Sequence, residues 1–99
     1  MSAKCYVKVH RVQGEVVISI CDENLLGKKF KHGAITIDFS SKFFGGELMD
    51  IDEALSLLEG ATIASLFGEN VIKKAVEKGL FPPGVAVRVA GIPHVQLVR

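Results

Sequence analysis

Hydrophobic and polar positions alternate from the start of the chain. Cys5, Val7 and Val9 interleave with Lys4, Tyr6, Lys8 and His10, a period of two that predicts a half-buried strand. Gln13-Gly14 supplies a turn. Val16, Ile18 and Ile20 then resume the buried face opposite Glu15, Val17 and Ser19, so the two runs predict an antiparallel hairpin. After a loop over residues 21–33, Ile35, Ile37 and Phe39 alternate with Thr36 and Asp38 as a further strand. The first forty residues thus predict a three-stranded meander.

The period changes after Gly45-Gly46. Asp50-Ile51-Asp52-Glu53 matches a capping box, in which Asp50 accepts an early amide and Glu53 reaches back. Ile51, Ala54, Leu55 and Leu58 follow at helical spacing, and Gly60 is expected to close that helix. Residues 61–67 fit both periods. Thr62 and Ile63 favour a strand, whereas Ile63, Leu66 and Phe67 also fit a helical stripe; a short buried strand is the preferred reading. A second helix is predicted over residues 69–78, with Val71, Ile72, Ala75 and Val76 inward, Glu69 and Lys73 paired, and Gly79 at its end. Phe81-Pro82-Pro83-Gly84 is a rigid connector. Val85, Val87 and Val89 form a strand, Gly91-Ile92-Pro93-His94 is expected to turn the chain with Pro93 setting φ, and a final strand runs to Arg99. With a strand at 61–67, residues 61–90 become a strand–helix–strand unit with a right-handed crossover and parallel strands. The expected fold is α+β: one domain over residues 1–99, a mixed sheet made of the meander and that unit, packed with two main helices.

Composition agrees with a folded domain. Hydrophobic residues make up 48% and charged residues 23%, outside the range of disordered chains. The net charge of +1 is uninformative, but its layout is not. Residues 1–45 carry seven Lys/Arg against four Asp/Glu, residues 46–69 carry six acids and no base, and residues 70–99 carry five bases against one acid. Such blocks make a bipolar surface if they fold onto different faces. There is no internal repeat. Met1-Ser2-Ala3-Lys4 opens no signal peptide, and no apolar run reaches membrane-helix length, so a cytoplasmic protein without membrane contact is expected. Cys5 and Cys21 lack metal-site or redox spacing and read as core thiols.

Three groups of residues together resemble one family. They are Cys21-Asp22-Glu23-Asn24-Leu25-Leu26-Gly27-Lys28-Lys29-Phe30, then Phe44-Gly45-Gly46-Glu47, then Ala64-Ser65-Leu66-Phe67-Gly68-Glu69-Asn70 with Gly91-Ile92-Pro93-His94-Val95-Gln96. In order and spacing the chain resembles the archaeal domain of unknown function 424 family over nearly its whole length. Two departures are mild: the family typically has Ala at the position of Val95 and often Tyr at that of Phe44. The resemblance implies a small archaeal cytosolic protein and carries no reaction. The chain's few side-chain amides (Gln13, Asn24, Asn70 and Gln96) suit a thermophile.

Candidate chemistry is sparse. Cys21, with the Asp22-Glu23 corner, would be a nucleophile if His94 activated it, yet no orienting third group is evident. Cys21, His94, Asp22 and Glu47 are too scattered for a metal site, and no cofactor is expected. His10 and His32 read as surface histidines, the latter in a basic loop. Phe67-Gly68-Glu69-Asn70 opens a helix, but Glu69 places negative charge where an anion would dock, and no phosphate-binding glycine pattern is present. Lys28, Lys29, Phe30 and Lys31 interleave a ring with cations, as in contacts to unpaired nucleic acid, and Lys4, Lys8 and Arg11 would extend that patch. His94 and Gln96, two apart on a strand, would point to one side as a recognition pair. The favoured reading is a non-enzymatic binding protein acting on RNA or a ribonucleoprotein, or in translation. The alternatives are a small enzyme using Cys21 and His94, and an adaptor offering the acidic 46–69 block to a basic protein partner.

Overall fold

The first two alternating runs do pair: β1 (Lys4–Val12) and β2 (Glu15–Asp22) form an antiparallel hairpin around Gln13-Gly14 in the computed structural model, which describes residues 3–99. The reading of the chain start rests partly on Met1 and Ser2, which lie outside those residues. The single domain is α+β. Its six-stranded mixed sheet has the order β5-β1-β2-β6-β8-β7, with β5 (Glu47–Asp50), β6 (Ile63–Phe67), β7 (Val87–Val89) and β8 (Ile92–Val98) joining the hairpin. β2 and β6 run parallel, and the other neighbours are antiparallel.

Period-two patterning sends one set of side chains to each face. On the first face, Cys5, Val7, Ile18, Ile20, Ala64, Leu66 and Val95 pack under α2 (Ile51–Ser56) and α3 (Glu69–Glu77), which add Ile51, Ala54, Leu55, Val71, Ile72 and Ala75 to one continuous core. Residues 61–67 are thereby resolved as strand, with Ala64 and Leu66 inward.

Several expectations need correction. Residues 35–38 do not extend the hairpin into a meander. They form β4 (Ile35–Asp38), which pairs with β3 (Lys29–His32) in a separate two-stranded sheet, while β5 takes the free edge of β1. Alternation specifies which way side chains point, not which strand lies alongside. The capping box does not form: the Asp50 carboxylate leaves its own helix end to pair with Lys4 Nζ at 3.0 Å, its neighbour across the β1–β5 ladder. Gly60 does not close α2 directly, because a 3-10 turn (Leu57–Gly60) continues it. The Arg99 guanidinium donates to the carbonyls of Leu58, Glu59 and Ala61 at 2.7–3.2 Å and satisfies that end.

At the other helix, Gly79 does terminate α3. The Gly79 amide donates to Val76 and the Leu80 amide to Ala75, a Schellman pair. Glu69 pairs not with Lys73 but with Arg88, both guanidinium nitrogens donating to its carboxylate at 2.8 and 3.1 Å. The planar fork matches a carboxylate better than a lysine one turn away. The strand–helix–strand unit is present with a difference. β7 is parallel to β6, but β8 lies between them, antiparallel to both. The turn into β8 sits one residue early, at Ala90-Gly91, where both φ angles are positive; Pro93 is inside the strand.

Candidate functional site

The second face of the sheet is where the quoted segments meet. Cys21 pairs with Phe67, and Phe67 with His94, so the three stand in one row across β2, β6 and β8. Tyr6 extends the row on β1. The β3–β4 hairpin and α1 (Ser41–Phe44) close over this row. Phe39, fully buried, touches Phe30, Phe44 and Phe67 at centroid distances of 6.0, 5.0 and 5.2 Å. Leu25 and Ile92 complete the cluster. The His94 ring stacks flat on Phe67, 4.3 Å between centroids and 10° between planes. Burial lowers the His94 pKa below the ordinary imidazole value, favouring the neutral ring.

Gly45-Gly46 carries the chain from α1 onto the sheet. A Cβ at Gly46 would overlap the Val7 carbonyl, so only glycine lets β5 approach β1 at this point. α1 is thereby held against β1 and β2.

Beyond the aromatic row this face is open. Lys8 and His10 from β1, Val17 and Ser19 from β2, Ile63 and Ser65 from β6, and Gln96 and Val98 from β8 point to the same side, each half-buried or exposed. His94 and Gln96 do share a side, as their spacing implies. The hairpin and α1, which roof the other half, carry exposed Lys28, Lys29, Lys31 and Lys42. The hairpin also carries one exposed acid, Asp38, opposite Lys29, while Asp52, Glu53 and Glu59 lie on α2 and its 3-10 extension, over the first face. Among the acids of residues 46–69, Asp50 is paired with Lys4, Asp52 with Lys78 and Glu69 with Arg88. Internal pairing thus takes up half the charge an adaptor would present.

The structure separates what interleaving in sequence had joined. Phe30 alternates with Lys29 and Lys31, so its ring points inward, half-buried against Phe39, while the lysines face out. It is an anchor for the hairpin and not a stacking platform. Lys4 is committed to Asp50, and Arg11 lies on the first face opposite Val16. His32 is at the end of β3 and not in a loop; its Nδ1 accepts the Ala90 amide at 2.9 Å, tying the hairpin to the β7–β8 turn.

Cys21 and His94 lie in the same row, but Phe67 stands between them. Two strand spacings, about 10 Å, separate their backbones. The Cys21 thiol is fully buried, and burial first, then the nearby Asp22, pushes its pKa up to about 12. Cys5, on the opposite face, is likewise raised to about 12. Neither sulfur carries appreciable thiolate at neutral pH. Among the described residues no three of His, Cys, Asp and Glu gather as metal ligands.

Asp22 is the residue whose role was not legible. It is buried at the end of β2, and its two carboxylate oxygens accept the Asn70 and Val71 amides at 2.9 Å each. It performs for α3 the capping that a residue at Gly68 would ordinarily perform. Gly68 makes room for it: φ is +116°, and a Cβ there would strike the carboxylate. The end of this helix is therefore filled by the chain's own anion. Burial raises the Asp22 pKa although the two amides pull the other way. A small cavity of about 90 Å³ beside it, lined by Asp22, Asn24, Gly68, Glu69, Gly91 and Pro93, marks where three of the quoted segments converge. The paired residues that would have revealed the contact are 48 apart.

A family model described as a protein of unknown function, DUF424, matches residues 10–99. A crystal structure of an uncharacterized conserved protein from Methanopyrus kandleri is similar throughout. It has 27% identity and a TM-score of 0.84, with 96% of this chain and 90% of that one covered. No curated protein matches significantly.

Proposed function

This chain belongs to the DUF424 family of proteins of unknown function, and from that premise and the form of its sheet we propose a non-enzymatic binding protein of the archaeal cytosol that takes single-stranded RNA. One observation carries the reading. The open half of the second face presents Lys8, His10, Ser19, Ser65 and Gln96 as hydrogen-bonding groups, with the Phe67–His94 stack along its margin. Unpaired RNA is recognised by such surfaces, through stacking, base-edge hydrogen bonds and backbone charge. Lys28, Lys29, Lys31 and Lys42 stand on the elements roofing the other half, and the acids of α2 lie across the sheet. That layout attracts a polyanion to one side of the molecule.

The test is binding of a short oligouridine followed by fluorescence anisotropy at rising salt. Log affinity is expected to fall linearly with log salt, with a slope of about −0.7 for each phosphate neutralised. Replacing Lys28, Lys29 and Lys31 together by Ala should reduce that slope by about 2 and leave the melting temperature close to that of the parent. Absent binding at low salt, or an affinity indifferent to salt, sinks the proposal.

A further inference from the structure

We propose that Phe43 is the ring on which an unpaired base of that RNA stacks, so that the ligand is unpaired strand and not duplex; this rests on the RNA reading above. The two adjacent phenylalanines of α1 do opposite things. Phe44 turns into the aromatic cluster, 5.0 Å from Phe39 and 5.4 Å from Phe67. Phe43 turns out and is 56% exposed. Among the described residues it is the one aromatic in the set of exposed large hydrophobic side chains, the others being Val, Ile and Leu. An aliphatic group offers a base no π-face, so Phe43 alone of that set can stack.

Its mounting suits the task. α1 is held down by Phe44 on one side and by the Gly46 crossing of β1 on the other, and it packs on the strands that bear Lys8 and Ser19. The exposed ring therefore stands on a fixed base, on an element packed against two of the strands that form the open half-face. Lys42 Nζ lies over one face of the ring, 5.7 Å from its centroid, so a base stacks on the opposite face or takes the cation's place. A duplex hides its base faces within the helix. It meets the lysines but has nothing to lay on Phe43.

The experiment compares a short oligouridine with an RNA duplex of equal length, using the parent protein, Phe43→Ala and Phe43→Trp. Because the chain contains no tryptophan, Phe43→Trp is a solitary reporter whose emission a stacked base quenches. Phe43→Ala should weaken single-strand binding by about 5- to 100-fold and leave duplex binding within twofold. Phe43→Trp should retain single-strand affinity and lose emission on binding. If the parent binds oligouridine but Phe43→Ala binds it equally well, or loses single strand and duplex alike, the stacking assignment is overturned while the RNA reading stands. If the parent binds neither, the RNA reading fails and this assignment falls with it.

Discussion

At Gly68 an alanine methyl would arrive where the Asp22 carboxylate already sits, and at a φ of +116° that side chains avoid. Gly68→Ala is expected to cost about 2–4 kcal/mol, the strained backbone and the displaced cap adding together. Urea denaturation measures it. Asp22→Ala, which frees two amides without straining the chain, should cost less, about 1–2 kcal/mol. His94 governs a pH effect of definite sign. Its folded pKa lies below the ordinary value of about 6.5, so its stabilising contribution is present above that value and is lost as pH falls through the folded pKa. Unfolding free energy should thus decline on acidification from about pH 7, and His94→Phe should flatten that decline. Asp22 acts with the opposite sign. Its raised pKa leaves its contribution fully present below the ordinary aspartate value, and the contribution is lost as pH rises through the folded value. At this scale the glycine was visible in the sequence and its reason was not, because the carboxylate that requires it comes from a strand 48 residues away.

Among the elements, local patterning was readable and partnership was not. The β1–β2 hairpin, α3 with its Gly79 exit, and the strand at 63–67 follow from residue periodicity. The displaced strand β4 and the unused capping box failed for a shared reason: in each, a distant partner offered a better contact than the local one. Ile37 and Phe39 reach the Cys21 row through β4 and the residue after it, and Asp50 finds Lys4 across a ladder. The Ala90-Gly91 turn gives a check at this scale. Both residues have positive φ in a two-residue hairpin loop, the type I′ pattern that favours Asn-Gly. Ala90 tolerates φ of +55° poorly. Ala90→Asn should raise stability by about 0.5–1 kcal/mol, read as a higher denaturation midpoint at unchanged slope.

For the whole molecule, the sheet divides two interiors, each with one buried cysteine: Cys5 under the helices and Cys21 under the aromatic roof. Phe39→Ala removes the ring that joins Phe30, Phe44 and Phe67, at a cost of about 3–5 kcal/mol. A two-stranded hairpin has little stability of its own. Thiol labelling under native conditions should then quicken at Cys21 and stay slow at Cys5; equal acceleration at both would mean the sheet cannot open one side alone. The charge blocks were legible in the sequence but their pairing was not, since Asp50 meets Lys4, Asp52 meets Lys78 and Glu69 meets Arg88; the chain pattern did name His94 and Gln96 as neighbours. The open half-face was not legible, since it arises from where the hairpin stops, which no local pattern encodes. The join of β2 to β6 has a kinetic consequence. Val16 and Thr62, bonded at its start, are 46 residues apart, so most of the intervening polypeptide must be gathered before the centre can zip. Refolding is accordingly expected in the slow regime of milliseconds to seconds. Breaking the latch from Asp22 onto α3 is expected to hasten escape from the native state while hardly changing the speed of return, the signature of a contact made after the folding barrier.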